Sequence, residues 1–258
     1  FLLDIGPKKI LESIVEMFSE DDKFYFVFNK EQIQNYPEIN NIIKSSVKKF
    51  EIICIEAHQK GPAYSALQIN TIDPSEPVII SYCDFLVEWD YNGFLSSIGD
   101  YEMAIPSFIG FHPSSFGETT YAYTLLNTEN ELIELREKQS FTSEKHNEFA
   151  NAGIYYFKSF ELFQMHANHL IEFDLKSNQE AYVSLIANKI VKSRGKVLIT
   201  KINKFICLGT PFDYQMFTFW YEYFNVDNRQ SNQNITTDIN LIPMAGSGSR
   251  FKNEGYNS

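Results

Sequence analysis

The chain has 258 residues, 44% hydrophobic and 16% aromatic, which suits one large packed α/β domain and excludes a disordered chain. Lysine and arginine total 22 against 33 acids, and the net charge of -11 excludes general binding to nucleic acid or to an anionic membrane. Cys54, Cys83 and Cys207 form no CxxC or Cys/His pattern and read as reduced thiols.

In chain order, Lys8–Phe18 carries Ile10, Leu11, Ile14, Val15 and Phe18 at helical spacing. Phe24–Phe28, Glu51–Ile55 and Pro77–Tyr82 are short apolar runs that predict buried strands, with helices at Ile33–Ser45 and Tyr64–Asn70 between them. Strands follow at Glu102–Phe108, Tyr121–Leu126 and Ile154–Phe157, then helices at Phe160–Phe173 and Glu180–Lys192. A strand at Val197–Ile202 and a helix at Phe212–Phe224 close this part. The alternation predicts a Rossmann-like α/β fold, a mixed but mainly parallel sheet with flanking helices. Residues 225–238 are polar and read as a linker, after which Ile239–Pro243 starts a new buried strand.

That strand runs into Met244-Ala245-Gly246-Ser247-Gly248-Ser249-Arg250-Phe251. The loop lacks the GK[ST] ending of a Walker A loop, and Phe251 stands where a dinucleotide fingerprint has its third glycine. Two glycines let backbone N–H groups approach a polyphosphate, and Arg250 adds charge-assisted bonds. An ordinary strand and turn is the alternative.

With its flanks, Ile242 to Tyr256 resembles the opening signature of the NDP-sugar pyrophosphorylase family, nucleotidyltransferases that activate sugar 1-phosphates. Residues Phe1–Phe18 are similar to the short strand, turn and first long helix that come after that signature, the Lys-Pro pair between them being absent. Gly61-Pro62-Ala63 is similar to the segment that faces the nucleotide base, and Pro77–Asp84 to the strand ending in the metal-binding aspartate. Glu137-Lys138 resembles the pair beside the sugar phosphate, Asn151-Ala152-Gly153 the sugar-contacting strand start, and Gly209–Asp213 the GTP-x-D turn.

The resemblance implies nucleoside monophosphate transfer from a triphosphate to a sugar 1-phosphate, for polysaccharide precursor synthesis. It implies that Ala245, Gly246, Ser247, Gly248, Ser249, Gly61, Pro62 and Ala63 hold the nucleotide, with Arg250 on the triphosphate. Asp84 would bind Mg²⁺, Lys138 the sugar phosphate, and Asn151, Gly153 and Glu180 the sugar. Each has an ordinary alternative: a strand-end cap for Asp84, a solvated lysine for Lys138, a strand-initiating glycine for Gly153, an exposed helix-start acid for Glu180. Cys207 stands where many family members have a second metal-binding aspartate, and thiols are poor Mg²⁺ ligands. His166 and His169 read as a solvated helix face, and Glu88 and Asp90, near Asp84, as the first turn of a helix.

The family's first motif stands last here. Either residues 239–258 complete the fold of residues 1–224 as a circular permutation, or they open a second copy in a tandem protein. The start at Phe1 and the lack of a signal peptide or long apolar run lead to the expectation of an excerpt from a cytoplasmic protein. A homo-oligomer or a tandem partner domain is the expected assembly. The alternatives in function are a choline- or polyol-phosphate cytidylyltransferase and a non-catalytic nucleotide-binding copy. A GT-A glycosyltransferase ranks lower, since Cys83-Asp84-Phe85 supplies no D-x-D.

Overall fold

The computed structural model describes residues 1–112, 120–175 and 179–225. Residues Phe1–Glu222 form one compact unit; of the second, Tyr223–Ser258, only Tyr223–Asn225 are described.

The chain opens with a short antiparallel pair, β1 (Asp4–Ile5) and β2 (Lys8–Lys9), and enters α1 (Ile10–Val15) directly. The pairing of Lys8 and Lys9 with β1 makes α1 shorter than its apolar spacing predicts. Its start is fixed by Glu12, whose carboxylate accepts the Lys9 N–H at 2.6 Å, a side chain satisfying one orphan helix donor. Next, β3 (Lys23–Asn29) and β4 (Lys49–Ile55) form a parallel ladder from Lys23–Lys49 to Asn29–Ile55. The crossover between them is two helices, α2 (Lys30–Asn35) and α3 (Ile39–Ser46), where the sequence suggested one. Pro37 divides them: it disfavours helical backbone in the preceding residue, and Tyr36 stands at φ -130 and ψ 69.

After α4 (Pro62–Leu67) come β5 (Val78–Ser81), β6 (Phe85–Glu88), α5 (Tyr91–Ser97) and β7 (Met103–Phe108). They are followed by β8 (Ala122–Leu126), β9 (Leu132–Glu137), β10 (Phe149–Asn151) and β11 (Ile154–Phe157). Helix α6 (Phe160–His169) runs on into a π turn, Leu170–Asp174, and α7 (Leu185–Lys192), β12 (Val197–Lys201), β13 (Lys204–Cys207) and α8 (Pro211–Asn225) complete the described chain.

The main sheet has the order β5-β11-β7-β10-β8-β9, with β12 on the other side of β7. Every residue of β7 is buried, so it is the central strand and reads as a continuous apolar run. The fold is mixed α/β with flanking helices, as expected. Among the described residues the ladders of β3 with β4 and of β12 with β7 are parallel and the others antiparallel, where the sequence suggested a parallel majority. Met103, Ile105, Phe157, Phe163, Ile186, Ile190 and Val197 are fully buried in one cluster under α6 and α7. Each such side chain contributes about 1.5–3 kcal/mol over exposure.

One irregularity positions the site. Strands β10 and β11 both pair with β7, Asn151 opposite Ser107 and Tyr156 opposite Ala104, and between them the chain kinks at Ala152-Gly153. The kink lies across from Pro106, which has no N–H to give a ladder; its carbonyl accepts the Ala152 N–H at 3.0 Å.

Candidate functional site

Asp84 stands just past β5, at the carboxyl end of that strand, where open α/β folds keep their ligands. Its carbonyl accepts the Leu208 N–H at 2.8 Å, which ties it to the loop after β13. Cys207 ends β13 and Gly209 lies in that loop, and a Cβ built on Gly209 would lie 2.9 Å from Asp84 Oδ2 and 3.7 Å from Cys207 Sγ. Cys207 Sγ in turn donates to Asp213 Oδ2 at 3.4 Å. Asp213 also accepts from the Thr210 hydroxyl at 2.6 Å, while its own N–H donates to Thr210 Oγ1 at 3.1 Å, a reciprocal cap that starts α8. Asp84 is exposed, yet the protein atoms packed around its carboxyl push it up by desolvation, and the charge of Asp213 adds to the shift. Burial likewise raises the Cys207 thiol, which favours the protonated form.

The second part of the site lies at the end of β9. Lys138 takes a left-handed backbone, φ 55, and its Nζ donates to the Tyr182 hydroxyl at 2.8 Å while lying 4.8 Å from the centre of that ring. The Tyr182 hydroxyl donates onward to the Glu180 carboxylate. Lys138 and Glu180, assigned to a phosphate and to a sugar from sequence, therefore meet through a residue that sequence reasoning missed. The bond to Tyr182 is the main reason that the Lys138 ammonium holds its proton more tightly than usual.

Behind this pair lies a buried polar group. The Ser184 hydroxyl donates to Glu137 Oε2 at 2.5 Å. Burial pushes the Glu137 carboxyl up, and Ser184 and the charge of Lys138 pull it partly back. Burial also drives the Tyr155 hydroxyl far up; Glu137 adds to this, and Asn151, Tyr82 and Ser184 are its polar neighbours. Tyr82 accepts the Val183 N–H at 3.2 Å. The Ser107 hydroxyl reaches Asn151 Oδ1 at 3.4 Å, whereas Asn151 Nδ2 is buried without a hydrogen-bond partner among the described residues. Such a group costs free energy unless a ligand or water answers it.

Gly153, at φ 87, has the ring of Phe85 2.7 Å from the point where a Cβ would be. Its carbonyl accepts the Tyr82 N–H at 3.0 Å. This glycine is therefore required by backbone and by space, and it joins Asn151 to the strand that leads to Asp84.

Gly61, at φ 90, brings its backbone against Ala181, whose nitrogen would be 2.5 Å from a Cβ there. The Ala63 N–H donates to the Ala181 carbonyl at 2.9 Å, and the Ala181 N–H to the Lys60 carbonyl at 2.8 Å. Pro62 fits the first turn of α4, where its missing N–H costs nothing. The Gly61–Ala63 segment is thus bonded to the residue beside Glu180.

Three sequence expectations are corrected. Glu180 does not start a helix: it lies in an irregular stretch that Ala181 bonds to Lys60 and Ala63, the Tyr182 N–H turns back to the Glu180 carbonyl at 3.1 Å, and α7 begins at Leu185. Glu88 does not join Asp84 or a helix start; it lies on β6 and pairs with Lys204 at 2.6 Å across to β13. Asp90 does cap α5, accepting the Gly93 N–H at 2.9 Å. His166 is buried, while His169 is exposed and pairs with Asp174 at 3.1 Å. Among the described residues no three His, Cys, Asp or Glu side chains cluster to hold a metal ion, and no helix is long and apolar enough to cross a membrane. Ala245, Gly246, Ser247, Gly248, Ser249 and Arg250 lie outside the described residues.

Tyr182 and Ser184 carry no local signal in the sequence: Ala181, Val183 and Ser184 are all buried, which makes no period of two.

No family model and no curated protein matches the chain. Solved structures do. A nucleoside-diphosphate-sugar pyrophosphorylase from Vibrio cholerae RC9 is 13% identical with a TM-score of 0.68, over 84% of this chain and 90% of that one. A UDP-glucose pyrophosphorylase complexed with UDP-glucose is 17% identical with a TM-score of 0.62, over 86% and 89%. An inositol-1-phosphate CTP transferase from T. maritima is 13% identical with a TM-score of 0.55, over 78% and 77%. The chain therefore has the fold of the nucleotide-diphospho-sugar transferases.

Proposed function

We propose that this chain, with the nucleotide-diphospho-sugar transferase fold, is a nucleotidyltransferase that joins a nucleoside monophosphate to a sugar 1-phosphate. The observation that carries the reading is the convergence of Lys138 and Glu180 on Tyr182, next to the Gly61–Ala63 segment bonded to Ala181. A cation beside hydroxyl-binding acids suits a phosphorylated polyol, and a glycine-opened helix start beside it suits a flat base.

In the reaction an acceptor phosphate oxygen attacks the α-phosphorus of the triphosphate. The new P–O bond forms as the α–β bridging bond breaks, and pyrophosphate leaves with the electron pair. Such chemistry needs in-line placement and neutralised charge more than covalent help. Lys138 holds the acceptor phosphate, Glu180 and the unpartnered Asn151 amide bind its hydroxyls, and Gly153 lets the ring approach the backbone. Gly61–Ala63 face the base; for the Gly246–Arg250 loop, outside the described residues, a triphosphate-binding role is proposed from its sequence alone.

Asp84 suits Mg²⁺ by donor chemistry, an exposed carboxylate near a second one and with no lysine or arginine ion pair among the described residues. Cys207 beside it adds no hard ligand. The bound ion would supply a charge sink for the phosphates, held by Asp84 and by the nucleotide itself. Supply of nucleotide sugars for a surface polysaccharide is the role proposed with this activity.

The test is pyrophosphate release from the purified chain, over four nucleoside triphosphates and a panel of sugar and polyol phosphates with Mg²⁺, in parallel with Asp84→Asn. Turnover with one substrate pair, lowered about 100-fold or more in the variant, supports the reading. A polyol or choline phosphate as the sole acceptor would change the substrate class. Nucleotide binding without turnover would mark a non-catalytic copy.

A further inference from the structure

Tyr182 touches both Lys138 and Glu180, and it does so with a single hydroxyl. A phenol oxygen can accept one hydrogen bond while it donates another, so the direction of the chain is fixed: Lys138 Nζ donates to Tyr182 at 2.8 Å, and Tyr182 donates to Glu180. The ring holds the ammonium a second way, with Nζ 4.8 Å from its centre. Backbone geometry holds both ends of the chain. Lys138 stands in left-handed conformation at the end of β9, its N–H bonded to the Tyr121 carbonyl at 3.0 Å. The Glu180–Tyr182 stretch is fastened through Ala181 to Lys60 and Ala63. Two charged side chains from separate segments are therefore kept at a fixed separation, bridged by a hydroxyl, instead of collapsing into a direct ion pair.

We propose that Tyr182 is a positioning residue for a phosphorylated polyhydroxy acceptor, acting by keeping the Lys138 ammonium and the Glu180 carboxylate apart and aimed. The proposal rests on the acceptor site of the proposed function and adds a selectivity to it. An ammonium has three donors, so its bond to Tyr182 is compatible with a further bond to phosphate. Glu180, accepting from Tyr182 on one oxygen, retains acceptor capacity for a ligand hydroxyl. Ligands that carry phosphate and hydroxyls together gain from both ends; inorganic phosphate gains from one.

The test is direct binding of α-glucose 1-phosphate, inositol 1-phosphate and inorganic phosphate, measured by calorimetry on the parent chain, Tyr182→Phe, Lys138→Met and the double variant. Tyr182→Phe keeps the ring and loses only the hydroxyl, so thermal unfolding should stay within a degree or two of the parent. The expected result is about tenfold weaker binding of the better sugar or polyol phosphate, with a smaller loss for inorganic phosphate. In the Lys138→Met background the same change should add little, because the two residues act as one unit. Where turnover is measurable, the acceptor KM rises about tenfold while kcat and the KM of the triphosphate hold.

Equal binding by parent and Tyr182→Phe overturns the inference, as does an equal loss for all three ligands or no binding by the parent. Binding that depends on Tyr182 without turnover would uphold this inference and sink the transferase reading. Turnover insensitive to Tyr182 would do the reverse.

Discussion

The ring of Phe85 lies 2.7 Å from the point where a Cβ on Gly153 would be, so these two residues fit only because one of them has no side chain. Phe85 is buried in the cluster with Ile154 and Leu208 and cannot swing away freely. Gly153→Ala should therefore combine a positive φ with a clash. The expected loss is about 1–3 kcal/mol, read as a lowered urea midpoint, together with weaker acceptor binding, since Asn151 hangs on the same kink. An unchanged midpoint would contradict this packing.

Ser184→Ala gives a pH-dependent prediction. Burial raises the Glu137 carboxyl, so its ionisation costs native stability: nothing below the ordinary value of 4.5, growing as pH rises towards the raised native value, and full above it. Ser184 reduces that cost by donating to the carboxylate. Its removal should destabilise the chain by about 1.5–3 kcal/mol at neutral pH, and the difference from the parent should shrink as pH falls through that window. Urea unfolding at several pH values measures it. A difference that stays constant with pH would mean that the lost packing of Ser184, and not its bond to Glu137, is responsible.

Cys207→Asp would place a third carboxylate near Asp84 and Asp213. Like charges disfavour each other's ionisation, so without metal the variant should melt below the parent. Added Mg²⁺ should reverse the order, with the activating Mg²⁺ concentration falling about tenfold, or ~1.4 kcal/mol. Melting curves with and without Mg²⁺ check the first part and a Mg²⁺ titration of pyrophosphate release the second. A variant that ignores Mg²⁺ in both would remove Asp84 and its neighbours from consideration as a metal site.

Lys138→Met removes a charge-assisted donor of about 1.5–3 kcal/mol. The expected outcome is a tenfold to hundredfold rise in acceptor KM, with nucleotide binding little changed. Equal damage to nucleotide binding would place Lys138 outside the acceptor site.

The site was legible where a residue has a local signature. Asp84 follows an apolar strand, and the turn at Gly209–Asp213 announces itself with a threonine, a proline and an acid at capping spacing. Asn151-Ala152-Gly153 carries the glycine that its kink demands. Tyr182 and Ser184 were lost inside an expected helix of residues 180–192. That helix begins only at Leu185 because backbone bonds of Ala181 to Lys60 and Ala63 hold the preceding residues out of it, and those partners are remote in sequence, where no local propensity records them. Strands β6 and β13 escaped for a related reason: each is four residues long and, among the described residues, pairs only with the other. The Glu88–Lys204 cross-strand pair could not be seen until the two were side by side.

The bonds between Ala181 and the Lys60–Ala63 segment also set an order of events in time. The parallel ladder of β3 and β4, with α2 and α3 between them, closes within the first quarter of the chain and can assemble early. The Ala181 bonds need a segment made far later to return to the early one, and contacts so distant in sequence form slowly because the loop must close before they reward it. During synthesis from the amino end, the Gly61–Ala63 turn therefore lacks its bonds to Ala181 until the chain has grown past that residue.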